Sequence, residues 1–163
     1  MFRFISYIKF LFSATNQHGV HSPFVYDYVT KCLYTRKQLK LPISLKILVK
    51  SIDYFKYHSI RILNNEDNIE ETIQQYCPNV SFTKNVSDVL VGSISELNMG
   101  IVVNNLPNDS MLFLDGIHKN PNNHKSWKKL KALEHVKVTV DLFYCGVIFF
   151  RKEQAKEHFK IRI

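Results

Sequence analysis

The chain has 163 residues, 45% of them hydrophobic and 22% charged, which suits one folded domain with a sizeable core and argues against large-scale disorder. No apolar run approaches the roughly 18 residues that cross a bilayer. Arg3 and Lys9 interrupt the first apolar segment and no small-residue cleavage site follows, so neither a transmembrane segment nor a secretory signal is expected.

The net charge of +8 is unevenly spread. Residues 1–60 hold nine Lys/Arg against two Asp/Glu, giving +7, and residues 61–163 hold thirteen against twelve, giving +1. A basic first third suits nucleic acid, an anionic membrane face or an acidic partner. Its cations are scattered in runs no longer than two, without a nucleic-acid motif, so a solvated lysine-rich surface is the plainer reading and nucleic acid is not an expected partner. Cys32, Cys77 and Cys145 are odd in number, widely spaced and free of any CxxC pair. They point to neither a disulfide framework nor a zinc site, and fit a reducing cytoplasm.

Met1 to Phe12 has the spacing of a short amphipathic helix, with Phe4, Ile8, Leu11 and Phe12 as its apolar face. Aromatic residues beside cations also suit a membrane-surface helix, but so short a segment is expected to pack onto the domain. His18-Gly19-Val20-His21 is a turn in which Gly19 permits unusual backbone angles. Its two histidines have no evident third ligand, so no metal site is expected. Ser22 and Pro23 then start a helix as N-cap and first-turn residue. It runs to about Tyr34 and sets Phe24, Tyr28 and Cys32 on one face.

Thr35 to Pro42 is a loop, and Ser44 is expected to cap a helix to Tyr57 with Leu45, Leu48, Ile52 and Phe55 facing inward. Ser59 to Asn65 reads as a strand. Glu66-Asp67 open a helix bearing Ile69, Ile73 and Tyr76, and Pro78 ends it. Val80 to Val86 is strand-like, Asp88 to Leu97 a short helix or turn, and Met99 to Val103 a third strand. Met111-Leu112-Phe113-Leu114, bounded by Asp109 and by Asp115-Gly116, reads as a strand buried on both faces.

A lysine-rich helix over Pro121 to Leu133 carries Trp127, Leu130 and Leu133 inward. Strand alternating with helix is the pattern of a parallel sheet. Val136 to Leu142 and Gly146 to Phe150 are joined too tightly for a parallel crossover and form an antiparallel hairpin. The expected fold is a single α/β domain, with an N-terminal helical segment over 1–57 and an α/β core over 58–163. Ligands of such sheets bind at the carboxyl ends of the strands, where Asp115 and His118 fall.

Three segments resemble a group of bacterial class I S-adenosylmethionine-dependent methyltransferases of the O-methyltransferase type. His18-Gly-Val-His-Ser-Pro-Phe-Val-Tyr-Asp27 resembles their N-terminal signature, and Leu112-Phe-Leu-Asp-Gly-Ile-His118 with Trp127 downstream resembles their fifth strand and its turn. Val138 to Phe159 resembles their C-terminal hairpin and tail. The resemblance implies a reduced Rossmann-like sheet, mostly parallel, with S-adenosylmethionine as cofactor if the site survives. It sets Asp115 and His118 near the transferred methyl, His118 as general base for a small-molecule hydroxyl acceptor.

The chain departs from that family where the cofactor binds. Members carry an acidic, glycine-rich turn, E-L-G-x-x-x-G or similar, after the first strand. Here Ile60 to Leu63 runs into Asn64-Asn65-Glu66-Asp67, and no glycine lies between Gly19 and Gly92. A non-glycine residue forced into positive φ costs roughly 1 kcal/mol or more. No acidic residue for the ribose hydroxyls is evident at Thr83-Lys84-Asn85, and with Met99 to Asn105 as the family's fourth strand, Asn104 or Asn105 stands where an aspartate is usual. Asn64, Glu66 and Asn104 are the positions left to contact a cofactor. The expectation is a methyltransferase-like domain without catalysis, serving a protein partner or a homodimer. The alternative is an active enzyme with an altered cofactor loop.

Overall fold

The computed structural model describes residues 1–64, 68–98 and 106–163. Helix α1 spans Phe2–Ser13, α2 Pro23–Tyr28 and α3 Ile43–Phe55, and every strand follows them. The α/β part runs β1 (Ser59–Ile62), α4 (Ile69–Tyr76), β2 (Ser81–Phe82), β3 (Val89–Ser93), β4 (Met111–Asp115), α5 (Pro121–Ala132), β5 (Val138–Asp141), β6 (Cys145–Phe149) and β7 (Glu157–Lys160). One seven-stranded sheet results, in the order β2-β1-β3-β4-β6-β5-β7. β6 pairs antiparallel with both neighbours, and the remaining pairs are parallel.

Strand alternation explains the two layers. Val89, Val91, Met111, Phe113, Val147 and Phe149 face one side, where Tyr28, Leu48, Ile52 and Ile73 cover them. Leu90, Leu112, Leu114 and Ile148 face the other, beneath Trp127 and Leu130 of α5. Both faces are dry, which is why β4 is an unbroken apolar run.

The helix starts show local sequence at work. Ser22 Oγ accepts a hydrogen bond from the Val25 N–H (3.4 Å), with Pro23 in the first turn. Beyond Tyr28 the helix widens into a π turn over Val29–Leu33. The Lys50 ammonium, on α3, closes that end by donating to the Leu33 and Thr35 carbonyls at 2.5 and 2.9 Å. α3 begins at Ile43 with Pro42 as its N-cap, so Ser44 lies inside the helix instead of capping it.

Three further expectations are corrected, and one falls outside the described residues. Asp88 to Leu97 is no helix: it contains β3, a central strand paired with β1 and β4. Both edges of β4 are thereby taken, by β3 and β6, and Met99 to Val103 lies outside the described residues. Val80 to Val86 contributes only the two residues of β2. Gly19 does not adopt positive φ, and its missing Cβ instead makes room for Thr15, whose Oγ1 would sit 2.0 Å from a Cβ there.

The sheet also continues past the hairpin, because β7 adds to β5 in parallel. Thr15, just after α1, joins that edge: its N–H donates to the Lys160 carbonyl (2.9 Å), and its carbonyl accepts from the Arg162 N–H (3.0 Å). The carboxyl edge of the sheet therefore has α1 lashed across it.

Candidate functional site

β4 ends in a turn that sorts its side chains sharply. Gly116 takes φ +70, a conformation that glycine adopts without penalty, and Asn123 Nδ2 donates to its carbonyl at 2.9 Å. Asn120 caps α5 by accepting from the Asn123 N–H at 2.8 Å. This turn leaves Asp115 exposed, drives Ile117 into the core and turns His118 inward, where it is 4% exposed.

His118 is held on three sides. Its Nε2 lies 2.9 and 3.1 Å from the two carboxylate oxygens of Asp141, a buried residue at the end of β5. Its Nδ1 lies 2.8 Å from Ser6 Oγ of α1. Phe143 stacks on the ring at 4.9 Å and 16°. The neutral tautomer with hydrogen on Nε2 satisfies all of this: Nε2–H donates to Asp141, and Nδ1 accepts from the Ser6 hydroxyl. Asp141 also accepts from the Phe143 N–H (3.0 Å), and Phe143 itself sits at φ 65.

A buried carboxylate without partners costs several kcal/mol. Here each partner comes from a different element. Ser6, His118 and Asp141 have the residue types of a proton relay, at distances that permit transfer. The hollow beside His118 holds about 170 Å³ and is lined by Arg3, Asp115, His118, Lys119 and Phe143 among others. Ligand pockets for small molecules usually hold about 300–1,000 Å³. With Ser6 on one ring nitrogen and Asp141 on the other, an acceptor would have to displace Ser6 before His118 could take its proton.

The crevice at the carboxyl ends of β1 and β3 is built differently. The chain leaves β1 toward β2 on one side, while β3 leads to β4 on the other, so ligands of open α/β sheets would be sought here. Leu63, the residue after β1, donates its N–H to the Val91 carbonyl at 2.9 Å. Its side chain lies over Gly92, where an added Cβ would stand 2.7 Å from Leu63 Cδ1. Asn64 Nδ2 donates to Glu96 Oε1 at 3.1 Å, joining the segment after β1 to the one after β3. Beside it, the Ser93 and Ser95 hydroxyls pair at 2.7 Å.

The candidate residues are thus scattered. Asp115 and His118 share one hollow, Asn64 faces Glu96 over the other crevice, and Glu66 and Asn104 lie outside the described residues. His18 and His21 are exposed in their turn, with His18 Nε2 3.2 Å from Gln17 Nε2. All three cysteines are free and buried. Burial pushes the Cys32 thiol up to about 12, which keeps it protonated and poorly nucleophilic.

Sequence reasoning missed Ser6 and Asp141. Asp141 did leave a signal, an acid continuing the alternation of Val138-Thr-Val. Ser6 left none, because a serine between apolar helix positions is unremarkable. Comparison of the chain with family models, with curated proteins and with solved structures returns no match in any of the three.

Proposed function

We propose that this chain is a methyltransferase-like domain that transfers no methyl group and serves as a binding or partner module. The observation that carries it is Leu63. Where the family resembled opens a glycine-rich turn for its cofactor, an apolar side chain packs onto Gly92 at the crevice between β1 and β3. The strand order supports the kinship, with one antiparallel strand, β6, inserted beside the parallel set. With β3, the neighbour of β4, read as the family's fourth strand in place of Met99 to Asn105, Ser93 and not Asn104 or Asn105 falls where an aspartate is usual. A cofactor entering the crevice would meet side chains in the space that glycines leave open.

The test is calorimetric titration of the full chain with adenosylmethionine and with adenosylhomocysteine. No heat is expected at millimolar ligand from a folded sample. Saturable one-to-one binding in the micromolar range overturns the proposal.

The second reading is an active O-methyltransferase. The observation that favours it is the buried carboxylate of Asp141 on His118 Nε2, which orients the ring so that Nδ1 is the proton acceptor. It requires S-adenosylmethionine bound beside Asp115 and an acceptor hydroxyl in place of Ser6. Methyl transfer to any hydroxyl compound that His118→Ala abolishes would establish it.

A further inference from the structure

We propose that α1 seats this protein on an anionic lipid surface. The helix has two apolar faces and the domain uses only one. Tyr7 packs edge-on against Phe143 at 4.8 Å, Phe10 lies 5.5 Å from Phe143 and 6.0 Å from His118, and Ser6 is bonded to His118. The other face carries Phe4, Ile5, Ile8 and Phe12, at 70%, 46%, 38% and 90% exposure. Those positions form one stripe along a helix about 18 Å long. Large aromatic and aliphatic side chains left together in water mark an interaction surface.

Charge selects the occupant. Arg3 and Lys9 are exposed on α1, and the chain has no acidic residue before Asp27. Lys119 lines the same hollow as Arg3 near the start of the helix, although Asp115 lines it too. Lys160 Nζ donates to Ser13 Oγ at the helix's last residue (2.9 Å). An apolar stripe flanked by Lys9 and ending near Lys160 fits a membrane interface, where the rings enter the acyl boundary and these cations meet lipid phosphates. A second copy fits worse, because a symmetric interface would oppose these cations to their equivalents on a chain of net charge +8.

The helix is also prepared for this use. Ser6 pins it to His118, and Thr15 pins its end to the sheet at Lys160 and Arg162. Little of α1 has to be ordered on binding, which removes a cost that free amphipathic segments meet. The surface lies apart from the β1/β3 crevice, so binding or absence of adenosylmethionine leaves this inference standing.

The test is flotation of the full chain with vesicles of phosphatidylcholine alone and with vesicles of equal parts phosphatidylcholine and phosphatidylglycerol. At low salt the mixed vesicles should carry at least about tenfold more protein than the neutral ones, and high salt should reduce the excess. Phe4→Glu combined with Phe12→Glu should lower binding to the neutral level. Both positions are exposed, so the circular dichroism spectrum should be unchanged. Lys9→Gln should cost several-fold while leaving the apolar face intact. Protein that stays soluble beside mixed vesicles overturns the proposal, as does equal flotation on both vesicle types or a Phe4→Glu, Phe12→Glu variant that floats like the parent. A dimer that the same variant disperses, without vesicle binding, assigns the face to a second copy instead.

Discussion

The carboxyl edge of the sheet is finished in two ways. Over β1 and β3 the chain leaves the sheet through Leu63, whose apolar side chain packs onto Gly92. Over β4 and β5 it leaves through His118 and Asp141, a buried polar pair that is stable only because Ser6 and the Phe143 N–H complete it. The first half depends on no buried polar pair, since Leu63 packs there as an apolar side chain. The second half does, because removing any partner strands a buried donor or acceptor. The Ser6–His118–Asp141 network is thus best understood as the fastening of α1, and the edge divides into an apolar contact and a clamped helix.

Substitutions on the two halves should differ in size. Trp127→Ala has the largest expected effect. The ring is fully buried under α5 and lies so close to Gly146 that an added Cβ there would stand 2.7 Å from it. Denaturant unfolding should show a loss of about 3–5 kcal/mol, and a loss below about 1 kcal/mol would mean that this half of the core is loosely packed. Asp141→Ala comes next, at about 1–3 kcal/mol, since it orphans His118 Nε2–H and the Phe143 N–H. Hydrogen exchange should show faster exchange along α1 in that variant, and unchanged protection would separate the helix from the network.

Leu63→Ala should cost only about 1 kcal/mol, being half-buried. Its value is in the ligand titration: heat with adenosylmethionine appearing in this variant alone would show that Leu63 by itself seals the crevice. Ser6→Ala should cost about 0.5–1.5 kcal/mol, one hydrogen bond with its acceptor left on the ring. A cost larger than that of Asp141→Ala would invert the ranking within the clamp.

The smallest expected effect is with pH. His124 and His158 are both held below their ordinary value of 6.5, first by burial and then by neighbouring positive charge, from Lys128 in one case and Lys131 in the other. With the folded value depressed, the unfolded chain binds more protons as pH falls below about 6.5, so stability declines on acidification through that range and is unaffected above it. Melting temperature followed from neutral to acidic pH should fall gently. His158→Gln should flatten the slope, His158 being bonded to Thr139 Oγ1 at 2.9 Å on the β5/β7 edge.

Sequence alone settled the elements whose signals are local. Ser22-Pro23 starts α2, the buried run of β4 ends at Asp115-Gly116, Trp127 faces inward from α5, and the short link after β5 makes β5 and β6 antiparallel. Caps, turn residues and connection length act within a few residues of the structure they create. β3 was lost because Val89-Leu90-Val91 is too short a run to show a period, and its strand character comes from pairing on both sides. β7 was missed for the same reason, being defined by its pairing with β5.

The orientation of α1 also lay beyond sequence. Phe4, Ile8 and Phe12 follow helical spacing as well as Tyr7, Phe10 and Ala14 do, and a helix apolar on both sides does not say which side is covered. Tertiary structure made that choice: the buried His118 and Asp141 needed a hydroxyl, only Ser6's face of α1 supplies one there, and Phe4, Ile8 and Phe12 were left facing out.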